Sequence, residues 1–233
     1  MKTFVIGDIH GAAKALDQCL VRANFDFLKD ILVCLGDVAD GWPETPQVIE
    51  KLLELKNLIL VQGNHDFWLE GWLQFGARPV IWTEQGGQAT IEAYLKEPEL
   101  MVKHRDFFKK AVGYALDDKN RIYVHGGFCR GIAIASQLRE MLMWDRTLAD
   151  KTAGAKEGDK FLVHEYGHVF LGHTSVNNYK KLPKNKPYTG GNVTLLDTGA
   201  GWEGVLTIMN VNTMKYWQSD LVSELYPESR GRN

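Results

Sequence analysis

Asp8, His10, Asp37, Asn64, His65, His125 and His173 all fall in short glycine-containing loops. These are Gly7–Asp8–Ile9–His10–Gly11, Gly36–Asp37, Gly63–Asn64–His65–Asp66, His125–Gly126–Gly127 and Gly172–His173–Thr174. Carboxylate, imidazole and amide oxygen are donors for hard-to-borderline divalent cations. Asp8 and His10, two residues apart where an apolar run ends, can turn toward one ion as the backbone leaves a strand. Asp37 lies 27 residues beyond His10, and Asn64 lies 27 beyond Asp37. Each interval suits one crossover helix that returns the chain to the same sheet edge. A carboxylate on the middle strand is then placed to bridge two ions. Each loop alone has a plainer reading, since Gly-Asp often caps a helix and Asn-His is ordinary loop sequence. What raises the set above that reading is conjunction. Three such loops occur in order, each after an expected strand and before an expected helix.

The elements follow from the hydrophobic pattern. Residues 3–6, 30–35 and 58–61 read as strands, and 12–22 and 46–55 as helices, which predicts βαβ units and a parallel sheet. Ligands of open α/β sheets bind beyond the carboxyl ends of the strands, where these loops lie. Residues 67–73 read as a Trp-rich helix, and 88–112 as helices interrupted at Pro98. In the second half, 114–116 and 122–124 read as a hairpin across residues 117–120, and 169–171, 193–196 and 205–209 as further strands. One α/β domain with a second sheet from the C-terminal half is the expected architecture.

Composition narrows the classes. Hydrophobic residues make up 45% of the 233 and charged residues 24%, an ordinary globular balance. The formal charge of −2 gives no overall attraction to nucleic acid or membrane. Cys19, Cys34 and Cys129 form neither a disulfide framework nor a CxxC site, and Cys129 is expected to be a small apolar filler. No apolar stretch nears the ~20 residues that cross a bilayer. With no signal-peptide core after Lys2, the expected location is the cytoplasm.

The loops resemble those of the calcineurin-like metallophosphoesterases. Gly7–Asp8–Ile9–His10–Gly11 with His125–Gly126–Gly127 is similar to their phosphoprotein-phosphatase branch. The resemblance extends to Asp197–Thr198–Gly199–Ala200, and Trp144–Asp145–Arg146 and Gly172–His173–Thr174 resemble segments of small bacterial and phage members. It implies an α/β fold with a βαβαβ core and two packed mixed sheets flanked by helices, a four-layer sandwich, in a single domain over residues 1–233. It also implies that Asp8, His10 and Asp37 hold one divalent ion, and Asp37, Asn64, His125 and His173 a second. Manganese is the first expectation, with iron, zinc or nickel also accepted by this donor set. By the same resemblance His65 is the catalytic histidine, steadied by Asp40, and Arg146 grips the substrate phosphate together with Asn64. The implied activity is metal-dependent hydrolysis of a phosphorylated substrate, whether phosphoprotein, nucleotide or nucleic-acid end. A metal-stabilised binding module with weak catalysis is the alternative.

One position departs from the pattern. The family's second loop usually runs Gly-Asp-x-x-Asp-Arg-Gly, whereas Asp40 is followed here by Gly41 and Trp42. Glycine cannot replace the bidentate grip of arginine on phosphate. This bears on protein phosphatase activity more than on phosphoester hydrolysis itself. The expectation is that Arg130 supplies the missing charge, or that Trp42 stacks on a base or aromatic leaving group.

Other motifs carry competing readings. His164–Glu165–Tyr166–Gly167–His168 spells the HExxH of zinc proteases, which requires a helix. Gly167 and the extended-looking flanks 161–163 and 169–171 argue for a strand-like segment instead, with His164 and His168 solvated or supporting the site. Leu195–Ala200 looks like one aspartic-protease turn, but that chemistry needs two carboxylates sharing a proton. Gly199-x-Gly201-x-x-Gly204 precedes an expected strand, so no helix N-terminus is available for a pyrophosphate. Trp68, Trp72, Trp82 and Trp217 are expected to pack. Lys180, Lys181, Lys184 and Lys186 read as a solvated loop or as an attraction for a polyanionic substrate.

Overall fold

Near-continuous apolar runs suit strands covered on both faces, and such runs build the centre of the molecule. The computed structural model describes residues 1–155, 159–160 and 162–232. Its strands are β1 (Thr3–Ile6), β2 (Ile31–Cys34), β3 (Asn57–Leu60), β4 (Tyr114–Leu116), β5 (Arg121–Val124), β6 (His168–Leu171), β7 (Tyr188–Gly190), β8 (Val193–Leu195), β9 (Thr207–Asn210) and β10 (Tyr216–Gln218). One sheet has the order β10-β9-β1-β2-β3 and the other β4-β5-β6-β8-β7. In the first, β1, β2 and β3 are parallel, with β9 and β10 antiparallel at one side. In the second, β5, β6 and β8 are parallel between antiparallel edges β4 and β7. Both sheets are therefore mixed.

The strand period of two sorts side chains into layers. Phe4, Ile6, Leu32 and Cys34 face a core shared with helices α1 (Ala13–Arg22) and α2 (Thr45–Leu53). Val5 and Val33 face the opposite way and meet Tyr123 and Phe170 of the second sheet. Tyr123 and Phe170 stack with centroids 5.2 Å apart. Ile122, Val124, Val169 and Leu171 pack outward against Leu142, Leu148 and Ala149. The result is a four-layer sandwich of helices, sheet, sheet and helices.

The remaining helices are α3 (Asn64–Phe75), α4 (Val80–Trp82), α5 (Gln88–Lys96), α6 (Leu100–Phe108), α7 (Arg139–Trp144), α8 (Thr147–Ala153) and α9 (Val222–Leu225). Pro98 separates α5 from α6, as its missing donor and ring demand. The expected strands lie within three residues of the observed bounds, while the three-residue edge strands β7 and β10 escape a pattern-based reading. Cys129 is exposed rather than a buried filler, because its loop leaves the end of β5 for the surface. No helix among the described residues is long and apolar enough to cross a membrane.

Candidate metal centre

The carboxyl ends of the parallel strands from both sheets meet at one place. Asp8 and His10 follow β1, Asp37 and Asp40 follow β2, Asn64 and His65 open α3 after β3, His125 follows β5, and His173 follows β6. His10, Asp37, Asp40 and His173 adopt positive φ of 51°, 48°, 73° and 62°, a region L-residues seldom occupy. Such backbone strain gathers where a site must aim side chains that an ordinary turn would turn away. Gly63 is required by close approach, since a Cβ there would run into the Asp37 carboxylate.

Two clusters of donor atoms result, one of Asp8, His10 and Asp37 and one of Asp37, His125 and His173. In each, the candidate ligand atoms lie within 4.8 Å of one another and all the residues are buried. Asp37 belongs to both. His10 Nδ1–H donates to the Ala39 carbonyl at 3.1 Å and His125 Nδ1–H to the Leu35 carbonyl at 2.8 Å. A carbonyl only accepts, so Nδ1 carries a proton in each ring and Nε2 is the atom turned inward. His125 Nε2 lies 3.1 Å from Asn64 Oδ1 and 3.3 Å from Asp37 Oδ2, which brings Asn64 into the second cluster.

These residues fit a pair of cations. Burial holds Asp8 well above the usual carboxylate range, and the charges of Asp197 and Asp37 push it the same way. Burial lowers His10 and His173, the latter to about 2, leaving both imidazoles neutral as ligands must be. Burial would also lower His125, but Asp37 and Asp8 outweigh it and hold it up to about 9. A positive charge is thus favoured between these carboxylates. The buried Nε2 of His173 has no hydrogen-bond partner.

Beside the clusters, His65 is wholly buried, and its backbone N–H donates to Asp37 Oδ1 at 2.9 Å. Its Nδ1 lies 2.7 Å from Asp40 Oδ2, and its Nε2 has no partner. Asp40 also accepts from Trp82 Nε1 and from Thr90 Oγ1, each at 2.7 Å. Burial pulls His65 down to about 3 and pushes Asp40 up to about 8. Both shifts favour the uncharged forms, a neutral imidazole beside a protonated carboxyl, with Nδ1 and Oδ2 sharing a proton.

A cleft of about 160 Å³ opens onto this group. It is lined by Asp37, Asn64, His65 and His173 and by Trp68, Trp144, Arg146 and Arg232, among others. A larger groove of about 640 Å³ runs alongside, past Ser175, Lys184, Gly199 and Trp202.

The structure thus brings Asp8, His10, Asp37, Asn64, His125 and His173 together, with His65, Asp40 and Arg146 beside them. Arg130 is not among the cleft residues. It is a surface residue whose Nη1 donates to the Leu162 carbonyl at 2.8 Å, because the His125 loop carries it outward. Trp42 is buried and cannot stack on a substrate; its Nε1 donates to the Ala200 carbonyl at 2.6 Å and its ring stacks on Tyr226. Trp68, expected only to pack, lines the cleft, and Trp82 doubles as a donor to Asp40. Asp66 was not singled out by its residue type, yet its carboxylate accepts from Val38 N–H at 2.8 Å and Gly63 N–H at 3.0 Å, tying two loops together. Its place at the third position of α3 was the available signal.

The competing motifs resolve as well. Phe161, the first residue of the HExxH flank, lies outside the described residues. His168 begins β6 and sits 2.8 Å from Thr194 Oγ1, so the motif has no helix. Asp197 closes a tight turn, accepting from Gly199 N–H at 2.8 Å. Strand β9 follows the glycine motif, where dinucleotide binding needs a helix.

A two-sheet α/β sandwich whose strand ends cage a shared carboxylate among histidines defines the class of dinuclear metal hydrolases. The family model for calcineurin-like phosphoesterase matches residues 1–205, and the chain belongs to that family. A symmetrical bis(5'-nucleosyl)-tetraphosphatase of Cellvibrio japonicus is 30% identical over 72% of this chain and 58% of its own. One from Coxiella burnetii is 33% identical over 42% of this chain and 32% of its own. The match thus spans less than two thirds of the length of either. Among solved structures, a metallophosphoesterase from Sphaerobacter thermophilus has a TM-score of 0.58 at 14% identity, covering 95% of this chain and 89% of its own. A Saccharomyces cerevisiae protein serine/threonine phosphatase has 0.56 at 13% identity, covering 95% and 79%. At such identities these structures share the fold.

Proposed function

We propose that the chain hydrolyses phosphate esters, and the observation that carries this reading is the pair of buried donor clusters joined at Asp37. Asp8, His10 and Asp37 would hold one divalent ion, and Asp37, Asn64, His125 and His173 the other. When bound, such ions supply a water activated near neutral pH and neutralise charge on the attacked phosphate. Manganese suits the donor set, as do iron, zinc and nickel.

The chain's own residues do the rest. Arg146 and the Asn64 amide at the cleft receive the phosphate oxygens. His65 lines the same cleft and delivers the Nε2 proton to the departing oxygen, a role typically worth about 10²–10⁴-fold. Asp40 fixes the ring through Nδ1. A nucleotide is the substrate class we favour. Half-exposed Trp202 stands in the adjoining groove, where a base can stack, and Lys184 lines the same groove.

The test is turnover of p-nitrophenyl phosphate, its bis-ester and a dinucleoside tetraphosphate under Mn²⁺, with Asp37→Asn alongside. Hydrolysis that collapses in the variant together with its bound metal is expected. No release from any of the three under Mn²⁺, Fe²⁺, Zn²⁺ or Ni²⁺ overturns the reading and leaves a metal-stabilised binding module.

A further inference from the structure

The last residues of the chain bear directly on the departure at Gly41. After β10 the backbone is strapped across the first sheet's loops. Ser219 N–H donates to the Leu206 carbonyl at 3.0 Å and Val222 N–H to the Gly204 carbonyl at 2.9 Å. Tyr226 stacks on Trp42 at 5.2 Å and bonds Glu44 through its hydroxyl. Arg232 N–H then donates to the Gly201 carbonyl at 3.0 Å. The strap ends with the Arg232 side chain in the cleft, beside Asp37, Asn64, His65, Arg146 and His173.

That side chain fills the place Gly41 leaves open. Gly41 has φ +98°, and a Cβ built on it would lie 2.9 Å from Arg232 Cγ. Arg232 Nη2 donates to Gln85 Oε1 at 3.1 Å, Nη1 lies 3.4 Å from His10 Nε2, and the guanidinium stands 5.0 Å over Trp202. Its Nε is buried with no hydrogen-bond partner. Among the described residues no carboxylate lies within ion-pair distance of it. A guanidinium held in a cleft by neutral groups, with donors unused, is preorganised for an anion that arrives from outside.

We propose that Arg232 is a phosphate-binding residue, delivered by the C-terminal strap to the space beside Gly41 and acting with Arg146 on one phosphoryl group. The proposal rests on the phosphoester reading for its substrate, but its test does not. The Mn²⁺-loaded protein is titrated with inorganic phosphate by calorimetry, as wild type, Arg232→Ala and Arg232→Lys. Loss of a charge-assisted pair predicts phosphate binding weaker by about 10- to 100-fold in the alanine variant, with Mn²⁺ content unchanged. Lysine, a point charge without the fork, restores part of it. In the unaltered protein, phosphate should slow phenylglyoxal modification of Arg232, read by peptide mass spectrometry, a measurement that needs no variant to fold.

Equal phosphate affinity in Arg232→Ala, or modification that phosphate does not slow, overturns the proposal. So does tighter Mn²⁺ binding with phosphate affinity unmoved, which would make Arg232 a competitor of the ion at His10. The two readings fail separately. A protein that hydrolyses no ester yet binds phosphate through Arg232 loses only the enzymatic reading, and one that turns over esters with phosphate affinity indifferent to Arg232 loses only this one.

Discussion

His65 and Asp40 illustrate how much a single pair can carry. Burial alone would strip a histidine of its proton, and burial alone would hand one to a carboxylate. Set 2.7 Å apart, the two groups share a proton through Nδ1 and leave the buried Nε2 of this cleft residue without a partner. Asp40 is in turn gripped by Trp82 and Thr90, neither of which advertises itself as part of a site. Replacing His65 by alanine removes a proton donor without touching a donor atom of either metal cluster. We expect metal content to persist and turnover of an alkyl phosphate to fall about 10²–10⁴-fold, with a much smaller loss on p-nitrophenyl phosphate. Steady-state rates on both esters check this; equal losses would mean that His65 does something other than protonate the leaving group.

At the scale of elements, His168 shows why a motif needs its secondary structure. A helix would place His164 and His168 on one face, but β6 starts at His168 and turns its ring onto Thr194 of the neighbouring β8. Burial, with the nearby Arg121 charge, pulls His168 from an ordinary 6.5 down to about 4. The unfolded chain therefore takes up a proton there more readily than the folded one. Between about pH 6.5 and 4 this residue makes stability fall as pH falls, and above that window its contribution is fully present. For a partly buried group the effect is of order 2 kcal/mol. Denaturant unfolding of His168→Gln across this range should show a shallower decline than wild type, whereas identical slopes would remove His168 as a source of acid sensitivity.

The whole molecule concentrates its risk at the seam where the two sheets' strand ends meet. Asp8, Asp37, Asp66 and Asp197 are all buried there, and ionising them together costs free energy unless cations intervene. A ligand bound only by the folded state stabilises it by about 2.7 kcal/mol at a hundred times its dissociation constant, which for a chain of this size raises Tm by about 5–10 °C. Stripping with a chelator should lower the calorimetric Tm by that order, and Mn²⁺ in excess should restore it. A Tm indifferent to both would show that the protein's own groups already balance the seam.

What could be read from the chain, and what could not, divides along the range of the interactions. Asp8, His10, Asp37, Asn64 and His65 were legible because each sits a fixed step past a short apolar run, and local backbone geometry repeats with local sequence. His125 and His173 came from the second sheet by motif, and β1, β2, β5 and β6 from their short apolar runs. Arg130 and Trp42 were misplaced because the direction a loop residue takes depends on distant partners, the Leu162 carbonyl for one and Ala200 with Tyr226 for the other. Arg232 lies 191 positions beyond Gly41, and no periodicity or spacing links them. Only the packed chain, with its tail drawn over Trp42 to Gly201, could show one filling the space the other leaves.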